Sequence, residues 1–598
     1  MLPDHFDSRH LLGVIFLQRG NYAEAIRHID LALELNPNHI HALSNRGAAL
    51  KELGRFEQAL ATYDHVLARR PDYPEAHSNR GSILHDLKRY EEALASYDRA
   101  LALRPDYADA LCNRGATLHE LKRYEEALAS CDRTIALRPD YAEAHSNRGN
   151  TLQELKRFDE ALASFDRALA LRPDYAEAHS NRGNALHELN RFEEALASYD
   201  RAVALRREFA EAHSNRGNAL QELRRFDEAL ASYDRALALR PDHAEAHSNR
   251  GNALKELRRF DEALASYGRA LTLRPDLAEG HFSEATCRLM IGDFARGWQQ
   301  FEWRWETAQL RSAKRHFSPK LWIGAHDIAG KTILLHAEQG FGDTLQFCRY
   351  VPSVAEQAGR VILEVPKPLC KLMSTLPCAA EIVARGDPLP DFDLHCPLLS
   401  LPLAFGTRLE TIPSRTPYLA APENKADAWR DRLGAHERPR IGLVWAGDPR
   451  KRLPGANRID RQRSLDFDQL APLFEVRECE FHSLQKGDVA VTQLRDSALD
   501  HGVIDWSADL HDFSDTAALI ENLDLVIAVD TAVAHLAGAL GKPLWLINRY
   551  NTCWRWLLDC TDSPWYPTAR LFRQDETRAW DRVLVRVQAA LQDYVRRP

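Results

Sequence analysis

The chain is poor in the features that would place it outside the ordinary globular classes. Its ten cysteines (Cys112, Cys131, Cys287, Cys348, Cys370, Cys378, Cys396, Cys479, Cys553, Cys560) include no Cys-x-x-Cys pair and no zinc-ligand cluster, which argues against a disulfide framework or structural metal and points to reduced thiols. No stretch reaches ~20 uncharged apolar residues, so a membrane-spanning helix is not expected. Positive charge is not in excess: 78 Lys and Arg stand against 86 Asp and Glu, a net charge of −8, so a nucleic-acid partner has no electrostatic support from the chain as a whole. The first residues, Met1-Leu2-Pro3-Asp4-His5-Phe6-Asp7, lack the basic and apolar regions of an export signal, and a cytoplasmic location is the expectation. Gly and Pro, 29 of each among 598 residues, are neither frequent nor periodic enough for collagen or a low-complexity chain.

What is present is a repeat. Asn-Arg-Gly recurs at 45–47, 79–81, 113–115, 147–149, 181–183, 215–217 and 249–251, a strict period of 34. In each unit a glycine such as Gly47 or Gly81 stands where two helices cross closely. Ala59 and Tyr63, or Ala93 and Tyr97, supply small and large partners on a second helix, and Pro71 or Pro105 stops it. This small, Ala, aromatic, Pro pattern resembles tetratricopeptide repeats, with units starting near 6, 40, 74, 108, 142, 176, 210 and 244. A ninth, degenerate unit over 278–311 keeps Phe301, has Gln309 in place of Pro, and carries Trp298, Trp303 and Trp305, as a unit altered to seal the array against a following domain would. The resemblance implies an α-solenoid, a superhelix whose concave face suits extended ligands.

Two recurring polar positions bear on that face. Asn79, Asn113, Asn147, Asn181, Asn215 and Asn249, with Asn45 before them, fall where the repeats of protein O-GlcNAc transferases carry an asparagine ladder that holds peptide main chain. An amide has both donor and acceptor and can bind backbone without reading side chains. The alternative is that near-identical duplicated repeats repeat any solvated residue, and the first unit departs, with Leu11 at this position. The arginines that follow (Arg46, Arg80, Arg114 and onward) share their units with Asp64, Asp98, Asp132, Asp166, Asp200 and Asp234. An Arg–Asp pair within each hairpin is expected, because a half-buried guanidinium needs a carboxylate. Gly268 replaces the aspartate in the last full unit, so Arg250 is expected to be unpaired by this route.

Beyond about residue 312 the rhythm changes to short apolar runs alternating with helical stretches, the βα pattern of doubly wound sheets. One block, 331–422, opens with the strand Thr332-Ile333-Leu334-Leu335-His336. A second, 438–598, opens with Ile441-Gly442-Leu443-Val444-Trp445 after a polar linker around Glu423-Asn424-Lys425 and Gly434. Two Rossmann-like lobes place chemistry at the loops that follow strands.

The first such loop is Ala337-Glu338-Gln339-Gly340-Phe341-Gly342-Asp343-Thr344. Gly340 and Gly342 let backbone approach a ligand at a helix start, although Leu345 stands where a dinucleotide fingerprint has its third glycine. Asp343 reads either as a helix cap or as a carboxylate at a reaction centre. The second is Val529-Asp530-Thr531-Ala532-Val533-Ala534-His535, a strand end entering a small-residue helix. There the amides of Thr531 and Ala532 and the Thr531 hydroxyl form an anion seat, or else Asp530 and Thr531 merely cap. A third is the cation-rich stretch from Asp448 to Ser464, containing Arg461 and Arg463, which reads as a solvated loop or as a diphosphate clamp. Gln485 and Lys486 follow another strand and either contact a donor or sit at the core edge. Asp512-Phe513-Ser514-Asp515 looks like a helix start that caps itself or seats a nucleotide.

The Asp-Thr-Ala-x-x-His-Leu-Ala-x-Ala-x-Gly-x-Pro run at 530–543 resembles the nucleotide-sugar motif of the heptosyltransferase family (family 9), and Gly-x-Gly-Asp at 340–343 resembles that family's N-lobe loop. With the repeats, the layout is similar to bacterial tetratricopeptide-containing glycosyltransferases. What the resemblance implies is an α-solenoid over 6–277, a degenerate ninth repeat and connector over 278–330, and an α/β GT-B fold with lobes 331–422 and 438–598. It further implies an inverting transferase using a nucleoside-diphosphate sugar, with Asp343 as the general base, working by position with its pKa raised by partial burial. Gly340, Gly342, Gln485, Asp530, Thr531, Ala532 and His535 lie at the donor, and Arg461 and Arg463 stand where heptosyltransferases use a lysine. No cofactor and no metal are expected, since no metal-ligand set or DxD motif lies near the donor loops; Asp391-Phe392-Asp393 sits in a Pro-rich loop. The partner is a protein or peptide acceptor in the repeat groove. The rival readings are a non-catalytic repeat scaffold and a transferase acting on a lipid-linked or surface glycan.

Overall fold

The computed structural model describes residues 5–338, 340–448, 460–499 and 501–596. By compactness the chain divides into Met1–Asn249 and Arg250–Pro598. No helix among the described residues is long and apolar enough to cross a membrane.

The first unit consists of helical hairpins, beginning with Phe6–Gln18 and Tyr22–Leu35 and repeating as pairs such as Ala176–Glu188 with Phe192–Leu205. The close crossing expected from the glycines is present. A Cβ placed on Gly81 would meet the Tyr97 ring at 2.8 Å, and one on Gly183 would meet Tyr199 at 2.6 Å; larger residues there would force the helices apart. Between the helices of a pair the chain turns through one left-handed residue, Gly54 at φ 70° and then Lys88, Lys122 and Lys156 near 60°.

The Arg–Asp pairs form, but not within the hairpin. Arg80 donates Nε to Asp64 at 2.7 Å, Arg114 to Asp98 at 2.7 Å and Arg182 to Asp166 at 2.6 Å, each aspartate lying on the second helix of the preceding repeat. Inside its own hairpin the same guanidinium donates Nη1 to a hydroxyl, Arg80 to Ser96 and Arg182 to Ser198. The fork thus ties three helices together. This register also explains Gly268: the position that would pair with it is Glu284, which turns to Arg288 at 2.6 Å. Nor is Arg250 without a partner, for it donates Nη1 to Ser266 at 2.7 Å.

In the second unit the ninth pair, Ala278–Met290 and Phe294–Phe301, shares a hydrophobic core with the α/β region, with Phe294, Trp298 and Phe301 packed among Phe347, Trp554 and Trp565. Trp298 meets Trp554 edge-on, centroids 5.1 Å apart, whereas Trp303 stacks on His281 within the pair at 4.0 Å. Arg304, fully buried, is held by Glu338 at 2.9 Å and Glu302 at 2.7 Å.

Two parallel sheets follow. The first orders β1 (Lys320–Leu321), β5 (Leu394–Pro397), β2 (Thr332–His336), β3 (Arg360–Val365) and β4 (Ala380–Ala384) side by side. The second orders β11 (Ala569–Arg573), β10 (Leu544–Asn548), β9 (Leu525–Val529), β6 (Arg440–Val444), β7 (Glu480–Ser483) and β8 (Ile504–Asp505). Central strands β6, β9 and β10 are buried along their whole length, as strands covered on both faces must be. The stretch expected to be a polar linker is instead a helix, Glu423–Leu433, closed by Gly434 at φ 67°. Its polar composition conceals one apolar edge, Ala426 and Trp429, the latter packed edge-on against Trp506 at 5.1 Å.

Candidate functional site

Strand order decides where loops can meet a ligand. In the first sheet the chain leaves β2 toward β3 and returns on the other side as β5; in the second it leaves β6 toward β7 and returns as β9. Crevices open beyond the strand ends at such reversals. The segment after β2 carries Gly340, Gly342 and Asp343, and the segment after β9 carries Asp530, Thr531, Ala532 and His535.

These two segments touch. The helix Phe341–Phe347 packs on the helix Ala532–Ala539 so closely that a Cβ on Gly342 would lie 2.9 Å from His535 Cδ2 and 3.6 Å from Ala532 Cα. Asp343 accepts from Gly340 N at 3.3 Å, as a cap, and from Arg555 Nη2 as an ion pair. The residue therefore takes the cap role, with its carboxylate also paired to a cation rather than isolated. Asp530 accepts from Trp556 Nε1 at 2.9 Å, and its carbonyl accepts from Arg463 Nη1 at 2.7 Å. Burial pushes the Asp530 carboxyl up, but His535, Arg463, Trp556 and Arg555 outweigh it and hold the group below the usual carboxylate range. His535 lies 3.8 Å from Asp530, bonds through Nδ1 to the Tyr566 hydroxyl at 2.9 Å and stacks on Trp556. Burial drives its imidazole down to about 4, against the pull of Asp530, so it is neutral at pH 7.

Thr531 does not cap its helix; its hydroxyl donates to the Val529 carbonyl at 3.2 Å, which leaves the amides at the start of that helix without a side-chain cap. Arg463 is a clamp inside the protein, bound to Asp460 Oδ1 at 3.0 Å as well as to the Asp530 carbonyl, whereas Arg461 is exposed. The remainder of the cation-rich stretch, 449–459, lies outside the described residues. Gln485 is buried with its amide engaged: Oε1 accepts from Trp445 N and Ala446 N, and Nε2 donates to the Ala446 and Lys486 carbonyls. That is the core-edge alternative, holding the exit of β6. Asp512 caps the helix Phe513–Glu521, accepting from Ser514 N at 2.9 Å, and its carboxyl is held well below the usual range by Ser514, Lys371 and Lys425, which outweigh its burial. A groove of about 930 Å³ lined by Asp466, Gln469, Asp488, Thr492, Gln493 and Asp496 includes none of these residues.

Arg555, Trp556 and Tyr566 are missed by motif reasoning. The available signal was position: Cys553-Trp554-Arg555-Trp556 follows β10, another strand end, and an arginine between two tryptophans is a poor choice for a solvated loop.

In the first unit the recurring asparagines bond across repeats. Asn181, Asn215 and Asn249 donate Nδ2 to Asn150, Asn184 and Asn218 at 2.8, 3.0 and 2.9 Å. Asn79 donates to the Tyr63 hydroxyl at 3.1 Å and Asn147 to Cys112 Sγ at 3.5 Å; Asn113 is half-buried. The acceptors form a second row, Asn150, Asn184 and Asn218, that the motif reading does not single out.

Tetratricopeptide-repeat models match residues 16–83, 81–122, 108–141, 150–189, 183–224 and 214–278. The model of glycosyltransferase family 9 (heptosyltransferase) matches 511–556, the segment that includes Asp530, His535 and Arg555. The class these matches support is a chain of tetratricopeptide repeats with, at 511–556, a segment similar to glycosyltransferase family 9. The chain is similar to protein FlbA of Caulobacter vibrioides, 27% identical over 341 residues that cover 52% of this chain and 55% of FlbA; it thus spans about half the length of that curated relative. Among solved structures it is similar to the APC/C hetero-tetramer Cut9-Hcn1 (14% identity, 46% of this chain and 54% of that one, TM-score 0.39). A tetratricopeptide repeat protein from Parabacteroides merdae is also similar (18%, 42% and 98%, TM-score 0.36).

Proposed function

We propose that the chain is an inverting glycosyltransferase that moves a sugar from a nucleoside-diphosphate donor to a protein acceptor held by its repeats. In this reading 6–277 is the acceptor-binding solenoid, 278–330 the connector, and 331–422 and 438–598 the two lobes of a GT-B fold. Asp343 takes the proton from the acceptor hydroxyl. The uncapped amides at Thr531 and Ala532 receive the diphosphate, with Asp530 and His535 shaping the seat around it. Arg463 steadies that seat through the Asp530 carbonyl, and Arg461, exposed among the described residues of the cation-rich stretch, meets the leaving group. Gln485 acts through the backbone after β6. No divalent cation is required, because fixed helix dipoles and arginines offset the leaving charge. The acceptor's main chain runs along Asn79, Asn113, Asn147, Asn181, Asn215 and Asn249, and the setting is cytoplasmic.

The observation that supports this most is the contact between the Gly342–Asp343 turn and the Asp530–His535 turn, two strand-end segments from different sheets meeting at a helix start. The test is nucleoside-diphosphate release by the full chain from a panel of UDP-, GDP- and ADP-sugars, with and without EDTA. Release that survives EDTA and is lost in Asp343→Ala supports the assignment. Release unchanged in Asp343→Ala removes the base, and no release from any donor leaves the repeats as a binding scaffold.

A further inference from the structure

One short turn after β10 holds both candidate acids. Arg555 and Trp556, consecutive residues of the 3-10 turn Trp554–Trp556, donate to Asp343 and to Asp530 respectively. Arg555 is largely buried, its side chain 13% exposed, with its guanidinium 4.1 Å from the Trp554 ring centroid and Nη1 2.9 Å from Cys553 Sγ, while its Nε has no acceptor among the described residues. Burial acts to discharge it, but Cys553, Asp343 and Asp530 outweigh that and keep it charged. Such a group is a poor device for stability. A buried pair seldom outperforms apolar side chains of similar volume, and an orphaned N–H costs about 1–3 kcal/mol. Its geometry, by contrast, is informative. A carboxylate offers about four lone-pair directions; Gly340 N occupies one on Oδ2 and Arg555 one on Oδ1, so the orientation of the remaining ones is fixed by a rigid guanidinium rather than by a rotatable side chain.

The turn itself is anchored at both ends on the eighth repeat. Asn551 Nδ2 donates to Glu256 Oε2 at 2.9 Å, and Arg258 Nη2 donates to Asp559 Oδ1 at 2.5 Å. Glu256 ends the helix Ala244–Glu256, and Arg258 lies in the turn after it at φ 59°.

We infer that Arg555 is a positioning residue: carried on a strap pinned to the eighth repeat, it aims the Asp343 carboxylate at the acceptor hydroxyl and supplies its counter-charge. This rests on the transferase reading above. No bond to substrate is assigned to Arg555; the proton leaves the acceptor hydroxyl for Asp343, and Arg555 acts only through that carboxylate.

The experiment is a kinetic cycle on the full chain with whichever sugar nucleotide of the panel it turns over, reading initial rates over a range of donor concentrations. Arg555→Gln is expected to lower kcat by about tenfold to a hundredfold, the scale of a misaimed catalytic group, with donor KM changed less than about threefold. Arg555→Lys should restore part of kcat, and its tryptophan-fluorescence melting midpoint guards against misfolding. The double variant Asp343→Asn/Arg555→Gln should be no slower than Asp343→Asn alone. Full activity in Arg555→Gln, a loss confined to KM, or additive losses in the double variant would each overturn the positioning role while leaving the transferase reading intact. Absence of turnover on every donor overturns that reading and this one with it.

Discussion

Acid should dismantle the α/β region by charging three buried imidazoles. Burial lowers His535 to about 4, His482 to about 4 and His336 to about 3, from 6.5 in each case. Between those values and 6.5 the unfolded chain binds protons that the folded one refuses, so the stability these residues contribute is complete above about pH 6.5 and is lost as pH falls through the window. Each contributes a slope of up to ~1.4 kcal/mol per pH unit; together they remove about 8 kcal/mol by pH 4.5, comparable to the whole stability of an ordinary domain, ~5–15 kcal/mol. Asp530, held below its normal range, adds loss in the same direction, but only lower, below about pH 4. The assay separates the two units because all twelve tryptophans lie at or after Trp298. Tryptophan fluorescence in a urea titration therefore reports Arg250–Pro598 alone, while far-ultraviolet circular dichroism also follows the helices of the first unit. Fluorescence midpoints should fall steeply between pH 6.5 and 4.5, and His535→Gln should flatten that slope by about a third. A midpoint that stays level from pH 7 to 5, or an unaltered slope in His535→Gln, would refute the assignment of neutral, buried imidazoles.

The cross-repeat register of the arginines can be tested by a double-mutant cycle in urea. Arg182 and Asp166, a quarter and a half exposed, should couple by about 0.5–1 kcal/mol, the upper range for partly solvated pairs, whereas Arg182 and Asp200 of the same hairpin should couple by near zero; equal couplings would restore the within-hairpin pairing. At the site, Gly342→Ala puts a methyl 2.9 Å from His535 Cδ2, short of carbon contact by about 0.6–1 Å. The helices must part, so turnover should drop by about tenfold or more even though alanine favours helix by ~1 kcal/mol; wild-type turnover would show that the crossing is slack.

The legible parts of this protein are those carried by short-range pattern. The 34-residue period, the Gly–aromatic crossing of Gly81 and Tyr97, the strand Thr332–His336 and the helix starts at Phe341, Phe513 and Ala532 all follow from residues within a few turns of one another. The helix Glu423–Leu433 was hidden because only Ala426 and Trp429 mark its buried edge. Gln485 reads equally well as a ligand contact or as a backbone brace, since an amide serves both; only the four bonds it makes distinguish them.

Periodicity and turn chemistry belong to the chain locally, so they are determined wherever the sequence is read: helices in pairs, two blocks of parallel strands, and acidic residues at strand ends. Partner choice does not belong to the chain locally. Arg182 reaches back 16 residues to Asp166 rather than forward to Asp200, because stacking puts the preceding repeat's helix beside it. Arg555 meets Asp343 across 212 residues, because strand order in two sheets brings the ends of β2 and β10 together. A carboxylate's neighbours are set by where the backbone carries them, and that geometry exists only once the sheets and their covering helices have assembled.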